Sequence, residues 1–68
     1  MEKISIVIPV YNEEKFVSTT IKRVLEVDLG KLQREVVVVD DGSKDQTVAI
    51  LNELAKQNNE IKVYQQPV

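Results

Sequence analysis

Glu35-Val36-Val37-Val38-Val39-Asp40-Asp41-Gly42-Ser43 is the stretch on which the fold turns. Side chains alternate between the two faces of a strand, so unbroken valines from 36 to 39 put branched apolar groups on both. Such a strand reads as covered on both sides, in the manner of a parallel sheet. The run stops in two carboxylates, and Asp41-Gly42-Ser43 has the composition of a turn.

Upstream, Ile4-Ser5-Ile6-Val7-Ile8-Pro9-Val10 is a second β-branched run. Pro9 has no amide donor, which predicts a strand ending near it. Val17, Ile21, Val24 and Leu25 then fall on one helical stripe, with Lys15, Lys22, Arg23 and Glu26 off it. Asn12 is the expected N-cap of that helix, with Glu13 and Glu14 in its first turn, and Gly30 the expected residue just past its end. Downstream, Ser43 and Gln46 have capping-box spacing, with Asp45 the competing cap. A second helix follows to about Asn58, striped by Val48, Leu51 and Ala55 and widened by Ile50 and Leu54. Ile61-Lys62-Val63-Tyr64 reads as a third strand that Pro67 ends.

The fold class is therefore α/β, a β-α-β-α-β unit with a parallel sheet in the order 3-2-1. Right-handed crossovers in that order place both helices on one face of the sheet. The opposite face, carrying either Ile4, Ile6 and Ile8 or Val7 and its neighbours, is left without cover. The expectation is that residues 1–68 form part of a larger domain, or that a second copy covers the face.

With 68 residues the chain holds at most one small domain. A net charge of −2 argues against a nucleic-acid partner, which calls for a basic stripe. No apolar run is long enough to span a membrane. Without cysteine or histidine, polar chemistry falls to carboxylates, hydroxyls, amides and the backbone. A cytoplasmic location fits this composition.

Ligands of open parallel sheets bind beyond the carboxyl ends of the strands. Two polar clusters fall there, Tyr11-Asn12-Glu13-Glu14 after the first strand and Asp40-Asp41-Gly42-Ser43 after the second. Neighbouring strands bring both to one crevice. Tyr11 covers the sheet end or offers a ring for stacking on a base. Glu13 and Glu14 read first as dipole-favoured acids, and Gly42 and Ser43 as turn and cap residues. Asp40 and Asp41 are harder to explain structurally, because adjacent carboxylates repel and one suffices to start a turn. Alternation sends them to opposite faces, one to hold the loop and the other to accept hydrogen bonds from a base or ribose.

Other α/β nucleotide sites fit poorly. The first strand-helix turn lacks the G-x-G-x-x-G of a dinucleotide-binding Rossmann domain and the glycines and lysine of a P-loop. Its two glutamates would also repel phosphate. A phosphate-accepting receiver domain has paired aspartates after its first strand, whereas here the pair follows a complete strand-helix unit.

Ile6-Val7-Ile8-Pro9-Val10-Tyr11-Asn12-Glu13-Glu14, followed by Val37-Val38-Val39-Asp40-Asp41-Gly42-Ser43-Lys44-Asp45-Gln46-Thr47, resembles the amino-terminal region of family 2 glycosyltransferases. The likeness is greatest to the dolichol- or polyprenyl-phosphate mannosyl- and glucosyltransferase branch. It implies the first half of a GT-A Rossmann-like domain and inverting hexosyl transfer from a UDP- or GDP-sugar, with a polyprenyl phosphate as the acceptor of that branch. Carried over, Pro9 and Tyr11 line the base site, Glu13 contacts base or ribose, and Asp41 and Asp40 accept hydrogen bonds there. Ser43 and Thr47 hold the loop and helix start. The resemblance also implies Mg²⁺ or Mn²⁺ bound by a D-x-D motif. That motif is not in this sequence, and neither Asp28 nor Asp45 stands in one. The expectation is a chain that is inactive alone and supplies only the nucleoside side of a donor site, the parent being attached to the cytoplasmic side of a membrane if it follows that branch. The alternative is a noncatalytic α/β module that binds a nucleotide or assembles through its bare sheet face.

Overall fold

The valine run forms the middle strand of a three-stranded parallel sheet. The computed structural model describes residues 2–66 in the order β1 (Lys3–Val10), α1 (Val17–Glu26), β2 (Gln33–Asp40), α2 (Thr47–Gln57) and β3 (Ile61–Gln65). Strand order β1-β2-β3 is the expected 3-2-1 order read from the other edge. Pro9 pairs in register with Val39, and β1 continues one residue beyond it to Val10. An edge strand tolerates the missing donor. The stop expected at Pro67 lies outside the described residues.

Register decides which side chains meet the helices. Ile6 aligns with Val36, and Val36 with Ile61, so Val10, Val36, Val38 and Ile61 share one face with Asp40. That face is closed by Val17 and Ile21 of α1 and Leu51 and Leu54 of α2, in a single buried cluster. Ile8, Val24, Leu25, Ile50, Ala55 and Val63 pack around it, half-buried. Both helices thus lie on one side of the sheet, as the right-handed crossovers require. Val36 and Val38 are fully shielded, each stabilising the fold by about 1.5–3 kcal/mol relative to exposure. The opposite face carries Val7 and Tyr64, 63% and 58% exposed, with Val37 and Val39 half-buried between them. No described element covers it.

The end of α1 differs from its sequence reading. The helix stops at Glu26 and Val27 is extended, so Gly30 is not the residue just past the helix. Gly30 has φ +65° in a turn where its amide donates to Asp28 Oδ1 at 2.8 Å. Two carbonyls at the end of α1 are met by Arg34, at the start of β2. Its Nη1 donates to Val24 O at 2.6 Å and its Nη2 to Val27 O, while Nε lies 3.4 Å from Glu60 Oε2 before β3. A guanidinium suits the negative end of a helix dipole, and its fork reaches two carbonyls at once.

Replacing Arg34 by Met keeps much of the apolar stem and removes every one of these donors. We expect Arg34→Met to lower stability by about 1.5–3 kcal/mol. The check is a urea midpoint that falls while the slope of the transition stays unchanged.

Candidate functional site

Beyond the carboxyl ends of the strands, the β1-α1 and β2-α2 loops meet because Val10 pairs with Asp40. Asp41 N continues the ladder by donating to Val10 O at 2.9 Å, and Gln66 N donates to Asp40 O at 2.8 Å. The two polar clusters expected to converge are side by side.

Asp40 and Asp41 separate as alternation predicts. Asp40 is 2% exposed and lies on the helix-covered face. A buried carboxyl group needs partners, and Ser43 supplies both. Ser43 N donates to Asp40 Oδ2 at 3.0 Å, and the Ser43 hydroxyl donates to Asp40 Oδ1. Asp41 is exposed, and Gly42, at φ +84°, turns the chain between Asp41 and Ser43. Positive φ is a conformation that glycine adopts without steric cost.

The loops are stitched together by bonds between residues more than thirty positions apart. Asn12 N donates to Ser43 Oγ at 2.8 Å, and Lys44 N donates to Asn12 Oδ1 at 2.8 Å. Glu13 N donates to Thr47 Oγ1 at 2.9 Å, and Glu14 N approaches Asp45 Oδ2 at 3.4 Å. Thr47 is fully buried. Among the described residues, no buried side-chain nitrogen or oxygen lacks a partner.

Two cap assignments made from sequence are corrected by this network. Asn12 does not cap α1: it has φ +48°, and its side chain serves the other loop. The chain instead enters α1 through a turn in which Phe16 N and Val17 N both donate to Glu13 O, at 2.9 and 2.8 Å. Ser43 does not cap α2, because its hydroxyl is committed to Asp40 and Asn12. Gln46 stands at the N-cap of α2 without a side-chain cap hydrogen bond, and the competing residue, Asp45, lies one position before it, its Oδ1 accepting from Thr47 N at 2.9 Å and from the Thr47 hydroxyl.

Of the site candidates, Tyr11 is 53% exposed, Asp41 and Pro9 are exposed, and Glu13 is half-buried. Tyr11, Glu13, Asp40 and Asp41 cluster at the end of the sheet. Pro9 lies one residue before Val10 on the face that the helices do not cover. Sequence reading missed the part played by Asn12, whose signal was its type. Asparagine is several-fold enriched among the non-glycine residues that adopt positive φ. Arg34 carried no local signal. A cavity of about 430 Å³ lies at the opposite end of the sheet, among Lys3, Arg34, Glu60 and Lys62. None of the candidate residues lines it.

Among the described residues no group of three His, Cys, Asp or Glu side chains is placed to hold a metal ion. No described helix is long and apolar enough to cross a membrane.

Residues 5–68 match the family described as Glycosyl transferase family 2. The chain belongs to that family. It is 40% identical over 65 residues to a poly(ribitol-phosphate) beta-N-acetylglucosaminyltransferase, TarS, of Staphylococcus aureus, covering 96% of this chain and 11% of the relative. It is 47% identical over 55 residues to an undecaprenyl-phosphate 4-deoxy-4-formamido-L-arabinose transferase of Edwardsiella ictaluri, covering 78% of this chain and 17% of that one. The crystal structure of S. aureus TarS 1-349 superposes with a TM-score of 0.78 at 37% identity, over 100% of this chain and 20% of that one. This family 2 chain thus spans a fifth or less of these relatives' length. Its parallel β-α-β-α-β unit matches the amino-terminal part of a GT-A Rossmann-like fold.

Asp45 gives the loop network a pH dependence. The hydrogen bond from the Thr47 side chain lowers its pKa below the ordinary 3.8, against an opposing effect of burial and with help from the amides of Thr47 and Glu14. A depressed folded-state pKa stabilises the fold at pH values above the unfolded-state pKa, and that stabilisation is lost as pH falls through the folded-state value. We therefore expect Asp45→Asn to be less stable than the parent sequence at pH 6. The gap between their thermal midpoints should narrow steadily from pH 5 to pH 2.

Proposed function

We propose that these residues form the nucleoside-recognising, amino-terminal portion of a nucleotide-sugar-dependent glycosyltransferase, which transfers a hexose with inversion from a UDP- or GDP-sugar. The observation that carries the reading is the division of labour at the end of the sheet. Asp40 is consumed internally, while Tyr11 and Asp41 stand exposed on adjoining loops locked to one another. Tyr11 offers a ring face for the base. Asp41 is an acceptor suited to the imide N–H of uracil or the N1–H and amino group of guanine. Glu13, on the same loop as Tyr11, contacts the base or ribose, and Pro9 borders the base site.

Binding at this end is directed to the uncharged part of the donor. Glu13, Glu14, Asp41 and Asp45 outnumber Lys15 and Lys44 on the two loops, so a diphosphate set against them without a counter-ion meets a net negative charge. Mg²⁺ or Mn²⁺, held by ligands outside residues 1–68, would neutralise the diphosphate. The general base that deprotonates the acceptor has no candidate here either. Relatives named for poly(ribitol-phosphate) and undecaprenyl-phosphate support a phosphate-bearing acceptor, a polyprenyl phosphate among them. The bare face around Val7 and Tyr64 would be covered by the remainder of the domain or by self-association. A cytoplasmic location goes with this reading.

The test is titration of the full-length protein that carries these residues with UDP and with GDP, in the presence of Mg²⁺ or Mn²⁺. One of the two should bind. Asp41→Ala should weaken it by about ten- to a hundredfold, equivalent to about 1.5–3 kcal/mol for a hydrogen bond to a charged group. Failure of both nucleotides to bind, or binding indifferent to Asp41→Ala, overturns the reading and leaves the noncatalytic assembly module.

A further inference from the structure

We infer that Asn12 is a positioning residue of the nucleoside site, setting Tyr11 and Glu13 on one loop against Asp41 on the other. The inference rests on the nucleotide-binding reading above and assigns a part to a residue that is not itself in contact with the ligand. Two independent features of Asn12 support it.

The first is conformational. Asn12 lies between Tyr11 and Glu13 with φ +48°, the only non-glycine residue with positive φ among the described residues. A residue held there reverses the local course of the chain, so that Glu13 N turns toward Thr47 Oγ1 while Tyr11 remains outside. Most side chains are strained in this conformation, and asparagine is among the few that visit it routinely.

The second is the bonding of Asn12 on both its backbone and its side chain. Its amide donates to Ser43 Oγ, and its Oδ1 accepts from Lys44 N, each at 2.8 Å. The Ser43 hydroxyl proton points to the buried Asp40, which leaves the oxygen free to accept from Asn12. Asp41 and Gly42 are therefore held between fixed points. Asp41 N is tied to Val10 O before them, and Ser43 and Lys44 are tied to Asp40 and Asn12 after them. The exposed Asn12 side chain contributes little burial. Its oxygen pins a backbone amide three residues after the candidate ligand group Asp41, and its own backbone directs the candidate residues on either side.

The two features separate by substitution in the full-length protein. Asn12→Ala loses both. Asn12→Gly keeps the left-handed conformation and loses the acceptor. Asn12→Asp keeps both. With whichever of UDP and GDP binds the parent, Asn12→Ala should weaken binding about tenfold or more, Asn12→Gly by less, and Asn12→Asp should recover most of the loss. In turnover assays the loss should appear as a raised KM for the donor with kcat retained, because the altered contacts are to the bound nucleoside. Measurements are made well below each variant's urea transition, so that affinity is read on folded molecules. Wild-type affinity in folded Asn12→Ala overturns the inference while leaving the nucleotide reading intact. So does a lowered urea midpoint with affinity unchanged in all three variants, the mark of a purely structural residue. If Asn12→Ala does not fold, equal affinity of Asn12→Gly and the parent protein is the overturning result. Failure of the parent to bind either nucleotide removes both the reading and the inference.

Discussion

The buried carboxyl group of Asp40 is the constraint on which the working end of this molecule depends. The middle strand ends with this side chain pointing into the helix-covered face, 2% exposed, where it needs hydrogen-bond donors. Ser43 provides a backbone N–H and a hydroxyl, and doing so folds the Asp41–Ser43 segment back over the strand end. The hydroxyl, its proton committed, becomes an acceptor for the amide of Asn12 in the neighbouring loop. One buried side chain thus organises its own loop and, through a single oxygen, the next. The Asp40 carbonyl in turn accepts from Gln66, past the end of the third strand. With Asp40 occupied in this way, the remaining carboxylate of the pair, Asp41, is left to face solvent.

The two ends of the sheet are held together by different physics. At the amino ends of the strands a charged group, Arg34, closes the terminus of α1 and reaches Glu60 beside the third strand. At the carboxyl ends the loops are joined by hydrogen bonds in which every donor is a backbone amide or a hydroxyl, and no cation takes part. The chemical consequence is an end that is acidic and rich in oriented acceptors. Under the proposed function, such a surface receives the N–H and O–H groups of a nucleoside. The proposed function then assigns recognition of the base and neutralisation of the diphosphate to different parts of a donor site.

Sheet order, parallel strands and the helix stripes were legible because each is written in local periodicity: four valines, Val17 with Ile21, Leu51 with Leu54. The alternation rule also separated Asp40 from Asp41, since a period of two holds wherever a strand is regular. The caps were misread for the converse reason. Asn12 and Ser43 have the residue types of N-caps, and a local reading gives their side chains to the nearest helix. In the folded chain their hydrogen bonds run to residues 32 and 31 positions away. The cost of leaving Asp40 without donors outweighed the small gain of a helix cap, and that competition exists only once the strands are paired. Arg34 was invisible on the same grounds, because the carbonyls it meets become free only where α1 stops.

Asp40 and Asp41 therefore have a meaning that neither composition nor motif conveys. Adjacent identical residues look like a unit, and a pair of acids invites the idea of a shared ion. At the end of a strand, adjacency in sequence is opposition in space: one carboxyl group turns into the core and the other away from it. Serving a common ion would require both to leave the faces that the β ladder assigns them, and Asp40 would abandon two hydrogen bonds to Ser43. Breaking those bonds would also free the Ser43 hydroxyl, whose oxygen accepts one of the bonds between the loops, from Asn12 N. The geometry that makes Asp41 available is the one that keeps Asp40 from joining it.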